Sequence, residues 1–187
     1  MKDGLPHTRN EKSLIGSATE TWEMGVPLYT AEQRRRRDQT RWTLVQGILA
    51  PLQFAVFLVS LFLVLRYLMQ GVGYEAATMS IIAKTLVLYL IMVTGALWEH
   101  AVFGRYLFAP AFFWEDAVSF VVIALHTLYL LALLADALDP VSLMLLALAA
   151  YAAYVINAGQ FLLKLRAARL ESPRAPELTS ERLEMAP

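Results

Sequence analysis

The sequence predicts an all-α integral membrane protein, a four-helix transmembrane bundle. Three observations lead there. The 187-residue chain is 58% hydrophobic, with a mean hydropathy of +0.50, too apolar for a soluble domain of this length. Four apolar stretches each reach the roughly 20 residues that cross a bilayer. The basic residues gather at alternate ends of those stretches.

The first stretch runs from about Trp42 to Met69 and the second from about Ala76 to Phe103. The third starts after Pro110 and ends near Leu138, and the fourth runs from about Pro140 to Leu165. Gly71 and Gly73 punctuate the first turn. Asp139-Pro140 punctuates the last, with proline suited to a first helical turn. Pro51 lies inside the first span, where it removes a backbone hydrogen bond and favours a kink.

Arg34 to Arg37 and Arg41 precede the first span, Arg105 lies between the second and third, and Lys164, Arg166 and Arg169 end the fourth. The loop after the third span offers Asp136 and Asp139 but no Lys or Arg. The positive-inside rule then puts both termini and the Phe103–Asp116 loop in the cytoplasm. Zero net charge gives no global basic field to attract nucleic acid. The chain has no cysteine, which excludes disulfides, thiolate nucleophiles and cysteine metal sites.

Residues 1–27 and 171–187 are expected to be disordered tails. They are rich in Pro, Ser, Thr, Glu and Gly, with few periodic apolar positions. Residues 28–41 read as a basic interfacial segment and 42–170 as the transmembrane domain. Within the basic segment, Tyr29 to Gln39 is expected to form a short helix capped by Thr30, with Gln33 completing a capping box. Its arginines are orientation signals and lipid-headgroup contacts.

Polar groups in hydrocarbon are costly, so each needs a reason. Gln46, Gln53 and Ser60 recur at heptad spacing in the first span. Tyr154, Asn157, Gln160 and Lys164 share one face of the fourth. Gln53 and Ser60 are expected to bond neighbouring helices. Lys84 sits about two turns from the outer surface, within reach of it by snorkelling. His126 falls near mid-membrane, as a hydrogen-bonded histidine or as a ligand to a tetrapyrrole metal. Gln46, Glu99, His100, Arg105, Glu115, Asp116, Asn157, Gln160 and Lys164 all fall near the cytoplasmic third. That convergence is the mark of a binding site.

The most unusual segment is FGRYLFAPAFFWED, Phe103 to Asp116. It packs rings, one arginine and two adjacent carboxylates into a short connection. A plain connector needs none of these, although aromatic side chains also favour the headgroup level. Charges and rings at the mouth of a bundle suggest a flat ligand and proton chemistry. No GxGxxG, P-loop, HExxH or GxSxG motif occurs, and no internal repeat points to a transporter built from paired halves.

Three runs, YTAEQRRRRD, WTLVQGILAPLQF and FGRYLFAPAFFWED, resemble the 2-vinyl bacteriochlorophyllide hydratase family, from about Tyr29 to Leu170. The resemblance implies a small membrane enzyme of bacteriochlorophyll synthesis. It would add water to the 3-vinyl group of a chlorophyllide or bacteriochlorophyllide, giving a 1-hydroxyethyl group. It implies no protein-bound cofactor, magnesium entering only within the substrate. It implies membrane lipid and other bacteriochlorophyll-synthesis enzymes as partners, and a bacterial inner photosynthetic membrane as the location. A pigment-binding or assembly protein without chemistry, or a small transporter subunit, are the alternatives. The first would use the same aromatic rings and His126 without paired acids.

Such a hydration needs an acid to protonate the terminal vinyl carbon. It also needs a carboxylate to stabilise the cation, and a base to orient the attacking water. Glu99, Glu115 and Asp116 are the candidate carboxyls, and His100 is a further acid or base. Arg105 and Lys164 are candidates to hold a propionate. Phe112, Phe113 and Trp114 are candidates to stack on the macrocycle. Gln46, Asn157, Gln160 and His126 complete the expected substrate site, with no metal held by the protein.

Overall fold

A computed structural model describes residues 28–170; both expected tails, 1–27 and 171–187, lie outside the described residues. Within them are five helices: α1 (Ala31–Gln39), α2 (Arg41–Gln70), α3 (Tyr74–Phe103), α4 (Phe113–Leu134) and α5 (Pro140–Leu170). The last four are long and apolar enough to cross a membrane. They form an up-down bundle of two hairpins, α2 on α3 and α4 on α5, closed by contacts of α2 with α5 and of α3 with α4.

The helix ends follow the sequence signals. Thr30 caps α1 in a capping box with Gln33, its hydroxyl accepting from Gln33 N–H at 3.2 Å and its own N–H donating to Gln33 Oε1 at 2.9 Å. Gly71 ends α2 and Gly104 ends α3, both left-handed at φ 70° and 76°, a conformation open to glycine at little cost. Pro51 sits inside a helix that continues through it. Asp139 caps α5, accepting from Val141 N–H and Ser142 N–H at 3.0 and 3.1 Å.

The third span is shorter than the sequence suggested. It starts at Phe113 because Ala109 to Phe112 form a turn, with Phe112 N–H donating to Ala109 O at 2.8 Å. It stops at Leu134 because Asp136 takes a left-handed φ of 49° and Ala137 N–H returns to Ala132 O. The fourth helix continues past Leu165 to Leu170.

The bundle is apolar outside and polar at points inside. Only 22% of the most apolar window of α2 is buried, against 39% for α5, so most of each helix surface faces hydrocarbon. One core holds Phe57, Val64, Ile81, Val122, Tyr129, Met144 and Tyr151. A second, smaller cluster of Tyr29, Val102 and Phe112, backed by Trp98, Phe103 and Phe161, locks α1 onto the end of the bundle. There Tyr29 stacks on Phe103 at 5.8 Å and lies under Arg37 at 5.0 Å. Burial pushes the Tyr29 phenol pKa up, while the Arg37 charge opposes the shift.

The polar stripes do point inward, but two expectations fail. Ser60 bonds Ser80 at 2.7 Å and Tyr151 at 2.5 Å, as an interhelical link should. Gln53 is also buried, yet both of its amide atoms lack a partner among the described residues. Lys84 does not snorkel. It is fully buried, with Nζ 3.8 Å from the Tyr154 ring centroid and no hydrogen-bond acceptor. Its direction is set by the inward face of α3, and the aromatic face of α5 receives it. An ionised lysine at mid-depth costs about 2.5–3.5 kcal/mol, and a desolvated cation–π contact returns about 2 kcal/mol. Lys84→Met should therefore stabilise the bundle by about 1 kcal/mol, read as a higher midpoint of thermal unfolding in detergent.

Candidate functional site

The carboxyl cluster forms where α3 ends and α4 begins. Glu99 lies one turn before the end of α3, and Asp116 lies in the first turn of α4. The connection between them doubles back, so the two buried carboxyls lie near each other. Two consecutive amides of that connection hold them. Phe108 N–H donates to Asp116 Oδ2 at 2.6 Å, and Ala109 N–H donates to Glu99 Oε2 at 3.2 Å. Phe108 adopts a left-handed φ of 57°, unusual for an aromatic residue. The Asp116 bond fixes that turn and aims both amides inward.

Glu115 faces elsewhere, because successive helical residues point about 100° apart. Its Oε2 accepts from Lys164 Nζ of α5 at 2.6 Å. Its backbone carbonyl accepts from Asn157 Nδ2 at 2.9 Å and from Ser119 Oγ at 2.8 Å. Asn157 Nδ2 also donates to Ser119 Oγ at 2.9 Å. This network clamps the first turn of α4 onto α5. It stands beside the Glu99–Asp116 pair, not within it.

A family model described as 2-vinyl bacteriochlorophyllide hydratase matches residues 29–167. The chain belongs to that family. A 2-vinyl bacteriochlorophyllide hydratase of Cereibacter sphaeroides is 69% identical over 148 residues, 79% of this chain and 92% of the relative. One of Rhodobacter capsulatus is 67% identical over 145 residues, 78% of this chain and 84% of the relative. No solved structure matches significantly.

The sequence-predicted residues divide into three groups. Glu99, Glu115, Asp116, Asn157 and Lys164 come together across α3, α4 and α5. Arg105, Phe113 and Trp114 lie exposed at the same end. The others are not brought into the cluster. Gln46 of α2 donates to Thr94 of α3 at 2.8 Å, so α2 adds nothing to the carboxyl group. His100 points to the surface and stacks on Tyr106 at 4.2 Å, turned away from its neighbour Glu99. Gln160 is half-buried, with Oε1 lacking a partner.

Three assignments need correction. Phe112 cannot stack on a macrocycle in this conformation. It is 2% exposed and wedged among Tyr29, Trp98, Phe103 and Phe161, because it precedes α4 on the inward side of the turn. Lys164 is engaged by Glu115 and is not a free cation for a propionate. His126 is fully buried beside Tyr151, with Nδ1 bonded to Val122 O at 2.8 Å. That bond makes Nδ1 the donor and leaves a lone pair on Nε2, which is enclosed in the core with no partner among the described residues.

The hydratase's loop amides of Phe108 and Ala109, and Ser119, were not found by sequence reasoning. Ser119 was findable, standing four residues after Glu115 on one helix face. The amides carry no side-chain signal at all. Two shallow apolar grooves, of about 270 Å³ beside Val59 and Ser80 and about 520 Å³ beside Leu131 and Leu138, lie away from the acids.

Proposed function

We propose that Glu99 and Asp116 transfer the proton in a hydration of the 3-vinyl group of a bacteriochlorophyllide-type macrocycle. The chain is a hydro-lyase of bacteriochlorophyll biosynthesis, as its family membership states. The observation that carries the residue assignment is that two buried carboxyls are held by two consecutive loop amides. Two carboxyls held side by side by adjacent amides favour sharing one proton over carrying two charges. That proton is the one delivered to the terminal vinyl carbon. The positive charge left on the carbon attached to the ring spreads into the macrocycle. The carboxylate just formed faces that charge and stabilises it. Water then adds its oxygen to the charged carbon, and the proton it sheds returns to the carboxyl pair. Atoms and charge balance without any oxidant or reductant.

Glu115 is better suited to position α4 through Lys164 than to donate the proton. The reaction calls for no nucleotide, flavin or protein-bound metal, and magnesium belongs to the substrate. Purified chain given the vinyl pigment alone should produce a blue-shifted absorption and a mass gain of one water. Turnover that stops on dialysis and returns only with a nicotinamide cofactor would overturn this assignment.

The setting we propose is the bacterial photosynthetic inner membrane, with both termini and the Phe103–Asp116 loop cytoplasmic. Support comes from the arginines at Arg34 to Arg41 and at Arg105. Reporter fusions at Leu138 should read periplasmic and at Arg105 cytoplasmic; the reverse pattern would invert the site. The lipid around the bundle and neighbouring enzymes of the same synthesis are the expected partners.

A further inference from the structure

We infer that the substrate macrocycle docks from the bilayer side, against an exposed aromatic cluster of Phe108, Phe113 and Phe120. The inference rests on the hydratase reading and adds where the pigment binds. Phe108 and Phe120 lie nearly parallel, with ring centroids 5.4 Å apart and 5° between planes. Phe113 packs beside Phe108 at 5.5 Å, its ring tilted by 51°. All three are more than a third exposed, at 38%, 47% and 41% for Phe108, Phe113 and Phe120. They lie outside the bundle, unlike Phe112.

Geometry ties this cluster to the acids. Phe108 carries its exposed ring on one side of its backbone, while its amide donates to Asp116 on the other. The left-handed φ of 57° makes that possible, turning the amide inward while the ring stays out. A ring lying on Phe108 is therefore one residue's width from the carboxyl pair. A lipid-facing aromatic belt requires neither the parallel pair nor the strained residue bonded to a buried acid.

Charge complementarity names the occupant. A bacteriochlorophyllide is a flat apolar ring carrying a free carboxylate. Arg105 is exposed, stands three residues before Phe108, and makes no ion pair among the described residues. With Lys164 committed to Glu115, Arg105 is the cation left in this loop for a propionate. The cluster takes the ring face, and the guanidinium takes the carboxylate at the water boundary.

The test uses the full chain in lipid nanodiscs and the vinyl pigment as both acid and methyl ester. Phe120→Leu and Phe108→Leu should each raise KM about tenfold, the scale of one aromatic contact, with kcat changed little. Phe62→Leu removes an equally lipid-facing ring elsewhere on the bundle and should leave KM unchanged. Arg105→Ala should erase the preference for the acid over the ester. Unchanged KM in Phe120→Leu, with Phe108→Leu folded and also unchanged, would reduce the rings to an interface belt and overturn the docking surface. The hydratase reading would survive that result if the wild-type chain still hydrates the pigment. Conversely, a wild-type chain that binds pigment without hydrating it, and loses the bound-pigment spectrum in Phe120→Leu, would sink the chemistry and keep the surface.

Discussion

Glu99→Gln and Asp116→Asn should each slow the chemical step by roughly 10²–10⁴-fold, the range of a lost general acid or base, with pigment binding retained. Both amides keep the shape of the acids. Their carbonyl oxygens can still accept from Ala109 N–H and Phe108 N–H, so the loop should hold its course. What each removes is one of the two groups able to carry the transferred proton. Single-turnover absorption changes separate the chemical step from binding. Because the two acids act as a unit, the double variant should be little worse than the more damaging single one. Normal rates in both singles would remove this pair from the mechanism. His100 and His126 would not replace them readily, since one faces the surface and the other is enclosed among core rings.

The second large effect is on stability. Lys164→Met should destabilise the bundle by about 2 kcal/mol, because it leaves the Glu115 carboxylate buried without its cation. That is less than the ~3–5 kcal/mol of a fully enclosed pair, since the lysine side chain is still 26% exposed. Adding Glu115→Gln should recover most of the loss by removing the orphaned charge. The cycle of two singles and one double, followed by thermal unfolding in detergent, isolates the pair. Hydration by the double variant should persist at a reduced rate, as expected of residues that position α4. A double variant as unstable as Lys164→Met would show that the lysine packs rather than pairs. Abolished turnover in a well-folded double variant would return Glu115 to the list of proton donors.

Much of the architecture could be read from the chain because each helix answers to a local rule. Bilayer thickness fixes the length of an apolar run. Glycine at Gly71 and Gly104 ends helices where a left-handed residue is needed. Thr30 with Gln33 makes a capping box from neighbouring atoms only. The inward stripes of α2 and α5 follow from helical periodicity, so Ser60 was rightly expected to face other helices. The third span was misjudged at its C-terminal end. Its limits depend on the turn at Ala109–Phe112 and the left-handed Asp136, neither of which shows in hydropathy.

The candidate site was legible as a level in the bundle but not as a set of contacts. Depth along a helix can be counted in residues, and that count rightly grouped Glu99, Glu115 and Asp116 near one end. It also swept in Gln46 and His100, which share the level but not the direction. Counting depth even argued that Lys84 should reach outward, when its face of α3 carries it inward onto Tyr154.

By itself, then, the sequence determined a four-span membrane bundle and one end rich in acids and rings. It also held the motifs that point to the hydratase family. Tertiary structure decided which acid meets which partner. Glu99 and Asp116 are bound by consecutive amides because the loop turns at a left-handed Phe108, and Glu115 faces Lys164 because it stands about 100° round the same helix from Asp116. It also decided that Phe112 is core while Phe108 and Phe120 are surface. The physical reason is common to both. Composition and spacing set how far along an axis a side chain sits, whereas its neighbours depend on how helices rotate and how a loop's backbone turns.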